Sequence, residues 1–127
     1  MCLLLDDGSG YLRSDTIKMM WTPVDRTKCS WDPDGSYAMG WGVVQSRQHP
    51  AFCRQQCFYV THTGGAVGAS SVLVILPRPQ ESGLKPRDGS TPQGVVVAIV
   101  VNLQSVGMNK VALQIAKVFE SVRSRPS

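Results

Sequence analysis

At 127 residues the chain has room for one domain or part of one, which excludes a multidomain enzyme. Its 43% hydrophobic and 17% charged residues lie near globular averages and outside collagen-like, disordered and coiled-coil composition. Thirteen Lys and Arg against nine Asp and Glu give a net charge of +4, but Arg47, Arg54, Arg78, Arg87 and Arg123 are scattered between apolar segments, so the balance predicts a solvated basic surface and no nucleic-acid partner.

The opening Met1-Cys2-Leu3-Leu4-Leu5 runs into Asp6 and Asp7 without the basic flank or apolar run of a secretory signal, and it reads as a chain that starts inside a domain. Cys2, Cys29, Cys53 and Cys57 are therefore expected as free thiols. Cys53 and Cys57 form a C-x3-C pair with no second pair to complete a metal site. No stretch reaches the ~18 apolar residues of a membrane span.

In chain order, Ser14 is a predicted N-cap and Asp15 an acidic first turn. Ile17, Met20 and Trp21 then fall at helical spacing, which predicts a helix over 15–21, ended by Pro23. Residues 24–36 read as a loop whose Asp32-Pro33-Asp34-Gly35 is a turn. Residues 37–45 alternate aromatic and small side chains and predict a first strand, since Gly40 and Gly42 would weaken a helix. Residues 57–62 predict a second, stopped by Gly64-Gly65. A third covers 69–76, closed by Pro77 and Pro79, and a fourth covers 94–103. Residues 78–93 between them, rich in Pro, Gly, Ser and charge, read as a surface loop.

After Ser105, Met108, Val111, Ile115, Val118 and Val122 recur every three or four residues, the apolar stripe of an amphipathic helix that Arg123, Arg125 and Pro126 end. Helix, strands, helix without alternation predicts an α+β architecture: an antiparallel sheet with the C-terminal helix packed on one face. The other face, built from alternate residues of the third and fourth strands, is then left wet, and the chain is expected to be marginal, to self-associate, or to be rescued by a complementing fragment.

The segment 62–71, His62-Thr63-Gly64-Gly65-Ala66-Val67-Gly68-Ala69-Ser70-Ser71, concentrates the unusual residues: glycines that let a ligand approach the backbone, a titratable ring and a hydroxyl. No helix follows the glycines, so this is not a phosphate cradle. Three stretches in order, Tyr37-Ala38-Met39-Gly40-Trp41-Gly42, the His62–Ser71 segment, and Asn102-Leu103-Gln104-Ser105-Val106-Gly107 before a final helix, resemble the C-terminal portion of the penicillin-binding and class C β-lactamase superfamily, and within it a branch found in animal mitochondria. The resemblance covers about residues 10–123 and makes 1–127 a partial domain of that fold.

In that superfamily the third motif is K-T-G on a strand lining the active site, with His in place of Lys in some branches. The resemblance thus implies that His62 tunes charge and proton traffic beside a nucleophilic serine, that Thr63 hydrogen-bonds the substrate, that Gly64 lets the substrate backbone lie against the strand, and that the Gly65 N–H is an oxyanion donor. It also implies a peptide-like substrate, no cofactor or metal, homo-oligomers or filaments, and mitochondrial lipid metabolism, with a cytoplasmic location if the chain is made without a presequence. The S-x-x-K helix and the Y-x-N or Y-x-S loop that should precede the third motif are not found upstream of His62. Ser82-Gly83-Leu84-Lys85 follows it among prolines, and Ser14-Asp15-Thr16 reads better as a helix cap than as S-D-N. Two readings stand: a C-terminal fragment or short form of a serine hydrolase, itself without a nucleophile, or a non-catalytic interaction module that binds through its exposed sheet face.

Overall fold

A computed structural model describes residues 12–49, 54–77 and 94–123. The order is α1 (Ser14–Met20), β1 (Gly35–Tyr37), β2 (Gly42–Val44), β3 (Arg47–His49), β4 (Arg54–Gln56), β5 (Tyr59–Ala66), β6 (Ala69–Pro77), β7 (Gly94–Val101) and α2 (Asn109–Arg123). Five strands form one antiparallel sheet in the order β1-β2-β5-β6-β7, and β3 and β4 pair as a separate ribbon. This is the expected α+β arrangement of antiparallel sheet and C-terminal helix. The loop expected over 78–93, Ser82-Gly83-Leu84-Lys85 within it, and Cys2 and Cys53 lie outside the described residues.

Several local expectations are corrected. Arg13, not Ser14, holds the cap position of α1 with extended backbone (φ −66°, ψ 147°), and no side chain caps the helix; Ser14 is already its first residue. The expected single strand over 37–45 is two. Ala38 N donates to Trp41 O (2.7 Å) and Gly40 takes a φ of 77°, so the chain reverses at 38–41 and β1 pairs back on β2. Gly64 and Gly65 do not stop β5. The hairpin turns at Val67-Gly68, where Gly68 has a φ of 82°, and the ladder runs from Val60↔Ile75 to Ala66↔Ala69. β7 stops at Val101, two residues short of the expected end.

Strand alternation sorts the side chains into two layers. On the face that meets α2, Val44, Tyr59, Val72, Val74 and Leu76 form the core with Met108, Ala112 and Ala116, and Val95, Val97, Ile99 and Val101 pack against it. The helix therefore approaches the sheet with its small residues. The stripe expected to face the sheet does not: Val111, Ile115, Val118 and Val122 are exposed, with only Met108 of that set buried. Two alanines one turn apart let the helix axis come close to the strands, and the bulky β-branched residues are rotated away.

The opposite face is covered unevenly. Val43, Val60 and Ile75, neighbours in register across β2, β5 and β6, are each no more than 1% exposed, yet the next residue of that row, Val96 on β7, is 45% exposed. Val100 is 75% exposed. The expectation of a wet face holds at β7 and fails at Ile75.

Candidate substrate-binding strand

β5 is held on one side by β6 from Val60 to Ala66, but on the other by β2 only through Tyr59, Val60 and Thr61. From residue 62 to 66 no strand pairs with that outer edge among the described residues. The third-motif residues all sit there, so His62 lies inside a continuous strand and not at its end.

Register divides the motif. His62 pairs with Leu73 and Gly64 with Ser71, on the face away from α2, whereas Thr63 pairs with Val72, whose side chain is in the α2 core. His62 is half-buried between indoles: its ring centroid is 5.3 Å from that of Trp31 and 6.5 Å from that of Trp41, and Trp31 in turn meets Tyr37 edge-on at 5.9 Å. Thr63, Gly64 and Gly65 line an open cavity of about 550 Å³ whose further walls are Trp31 and the 104–107 segment. That segment is pinned to the hairpin: Val106 N donates to Ser70 Oγ (3.2 Å) and Gly68 N to Gln104 Oε1 (3.4 Å), with Ser105 in the left-handed region at φ 60°. The fold thus brings Thr63, Gly64 and Gly65 to one cavity and sets His62 beside its indole wall.

A polar network that no local sequence pattern announces fixes this end of the sheet. Asp32 closes its turn by accepting from Asp34 N (3.1 Å) at Oδ1, while its Oδ2 accepts from Asn109 Nδ2 (3.2 Å) and from the Tyr59 hydroxyl. Thr61, fully buried, donates to Asn109 Oδ1 (2.7 Å). One carboxylate therefore ties the loop, β5 and the first turn of α2 together. Burial, then the hydrogen bond and charge of Asp32, push the Tyr59 phenol far above its ordinary value, so it stays a donor.

Cys29 is buried, donates weakly to Ser36 O (3.6 Å), and is pushed up first by burial and then by the Asp32 charge; Cys57 is exposed. Since the thiolate is the nucleophile, brief iodoacetamide treatment of the native protein should modify Cys57 well before Cys29, as read by peptide mass spectrometry. Equal rates would show that Cys29 is not sealed in as described. Among the described residues no three His, Cys, Asp or Glu side chains converge as a metal site, and no helix is long and apolar enough to cross a membrane.

An antiparallel sheet carrying a His-Thr-Gly strand on an open edge, with a C-terminal helix behind it, is consistent with a partial β-lactamase-like fold. The relatives agree: over 115 residues, 91% of its length, the chain is 50% identical to the mitochondrial serine β-lactamase-like protein LACTB of Mus musculus, and equally so to those of Homo sapiens and Bos taurus. The match spans only about a fifth of each relative, a C-terminal portion. No family model matches the chain.

Proposed function

We propose that this chain is the substrate-lining, C-terminal part of a serine β-lactamase-like hydrolase, with the nucleophile supplied by polypeptide outside it. The observation that carries this is the outer edge of β5 at residues 62–66, with no strand paired to it among the described residues, opening on a cavity with Thr63, Gly64 and Gly65 in its wall. Such an edge offers main-chain donors and acceptors to an extended peptide, which adds as one more strand. Glycine at 64 and 65 removes the side chains that would hold a substrate backbone off.

In this reading the Gly65 N–H is one donor for the oxyanion of an acyl-transfer intermediate, a contribution on the order of 3 kcal/mol to the barrier. Thr63 Oγ1 hydrogen-bonds the substrate from the cavity. His62, held by Trp31 and Trp41, supplies a titratable group on the opposite side of the strand from Thr63. The substrate is a peptide or amide, and the setting is mitochondrial lipid metabolism, with homo-oligomeric assembly. The mitochondrial assignment is supported by the names of the relatives.

The chain alone should be silent: no hydrolysis of peptide or β-lactam substrates and no labelling by a serine-directed acylating probe. Co-expression with the rest of the human relative should restore labelling on that partner's serine, and His62→Ala should reduce it without preventing association. Labelling of Ser82 in the isolated chain would overturn the proposal. The reading of the chain as a non-catalytic interaction module draws support from the exposed Val96 and Val100, and it predicts that the co-expressed pair stays unlabelled.

A further inference from the structure

The cavity at β5 straddles the plane of the sheet, and its two sides differ. Ser70 pairs with Gly65 in register and accepts from Val106 N, so the 104–107 segment lies on the face that Thr63 and Gly65 address. The His62 ring meets Trp31, and Ser71 Oγ stands beside the place a Cβ on Gly64 would take, so Trp31 and Ser71 lie on the other face. Trp31 is the one aromatic residue among the described residues that line the cavity, and none of those residues is charged. Its single polar atom, Nε1, is buried and stands 3.1 Å from the place of a Cβ on Gly42. The indole therefore turns its nitrogen toward β2 and offers only hydrocarbon to the cavity. The ring is also held in position before any ligand arrives, since Tyr37 meets it edge-on at 5.9 Å and His62 at 5.3 Å.

We infer that Trp31 is a specificity-determining residue that selects an aromatic or large apolar side chain on the peptide residue lying opposite Gly64. This rests on the reading of β5 as the strand a substrate peptide joins, and it adds which peptide. A strand laid along 62–66 alternates its side chains between the two faces, and the residue directly opposite Gly64 points to the face that a side chain at 64 would use. Glycine leaves that place bare, and an aromatic ring on the neighbouring strand is the side chain that covers it best. Such a ring also spans the roughly 7–8 Å to the diagonal position, that of His62, against which Trp31 rests; a methyl group does not. The peptide residues on either side turn instead to the 104–107 face, where Thr63, Gln104 and Ser105 are polar.

A cationic side chain is the rival occupant, because indole faces attract cations. At an open site that attraction is weaker than the burial of an aromatic ring, and the chain's net charge of +4 opposes it further. An anionic side chain would lose water against hydrocarbon with no counter-charge among the described lining residues.

The test is an NMR titration of the isotope-labelled 127-residue chain with short extended peptides blocked at both ends and identical except for a central Phe, Leu, Ala, Lys or Glu. Expected are shifts at the Gly64 and Gly65 amides, nuclear Overhauser contacts between the peptide's phenyl ring and the Trp31 ring, and a Kd for the Phe peptide roughly tenfold or more below those for Ala, Lys and Glu, with Leu between. In Trp31→Ala the Phe-to-Ala ratio should fall below about threefold. If that variant loses the parent's dispersed spectrum, Trp31→Leu replaces it, and Phe should then lose its advantage over Leu. Equal affinities for all the peptides with shifts still at 62–66, a Lys peptide bound as tightly as the Phe peptide, or a preference that survives substitution of Trp31 would each overturn the inference and leave the reading of the β5 edge in place. No shift at 62–66 with any peptide would overturn both.

Discussion

Replacing Asp32 with alanine is expected to destabilise the protein by about 3 kcal/mol, lowering its melting temperature by roughly 10 °C. The magnitude follows from what the carboxylate leaves behind. Tyr59 is 4% exposed and Asn109 6%, and each gives a hydrogen to Asp32 Oδ2 that has no ready replacement in water. An orphaned buried donor costs about 1–3 kcal/mol, more than a typical hydrogen bond contributes when both partners go together. Tyr59→Phe should therefore cost less than Asp32→Ala, and the two should be strongly non-additive, because once the phenol is gone the carboxylate has one fewer donor to abandon. A melting shift below about 2 °C for Asp32→Ala would mean that the network is solvated in solution.

The same network gives a pH dependence of definite sign. Burial and Asp32 hold the Tyr59 phenol above its ordinary value, so the folded protein keeps a proton that the unfolded chain releases near pH 10. Tyr59's contribution is thus fully present below about pH 10 and is lost as pH rises through the folded value. Urea midpoints for wild type and Tyr59→Phe should keep a constant separation up to about pH 9 and draw together as the pH rises beyond about 10, the wild type losing more. Parallel curves would remove Tyr59 from the account.

Where the sequence was legible, side-chain chemistry and backbone periodicity coincided. β6 carries Val72 to Leu76 between a positive-φ glycine and a proline, and both boundaries follow from those residues. His62-Thr63-Gly64 could be placed on a strand by its resemblance to a motif, but Gly65 and Ala66 extend that strand because β6 supplies hydrogen bonds on the other side, a tertiary effect that overrides glycine's weak propensity. The orientation of α2 is not legible for the converse reason. Periodicity of large residues marks an apolar stripe without saying which surface it meets, and here Ala112 and Ala116 take the sheet. The β3-β4 ribbon, Arg-Gln-His paired with Arg-Gln-Gln, has no β-branched or aromatic residue to signal it.

The candidate site shows the same limit. Trp31 and Asp32 lie in a segment whose Pro, Asp and Gly residues announce only a turn, and the turn does form, with Gly35 N donating to Asp32 O at 3.1 Å. What the turn presents to the rest of the molecule, an indole beside His62 and a carboxylate for Tyr59 and Asn109, depends on partners as many as 77 residues away. No window of local sequence contains that information.

Gly42→Ala should be the most damaging of the glycine substitutions near the site, at about 2 kcal/mol or roughly 8 °C, and it should do so through packing alone. Gly42 has an ordinary backbone conformation, so strain is not the issue. A Cβ there would overlap Cys29 Sγ and stand 3.1 Å from Trp31 Nε1, whose buried N–H already lacks a partner among the described residues. Cys29 is itself only 5% exposed and its thiol is engaged with Ser36 O at 3.6 Å, so the sulfur has little room to move aside. Adding Cys29→Ala removes the overlapping sulfur but leaves the indole, so the double variant should recover about half the loss. At Gly64 a Cβ would meet only Ser71 Oγ, at 2.5 Å, and that half-exposed hydroxyl can rotate away. Gly64→Ala should therefore leave the melting temperature within about 2 °C while obstructing the edge of β5. The comparison separates a glycine required by the core from one that keeps a binding edge open, and a larger loss at Gly64 than at Gly42 would reverse that assignment.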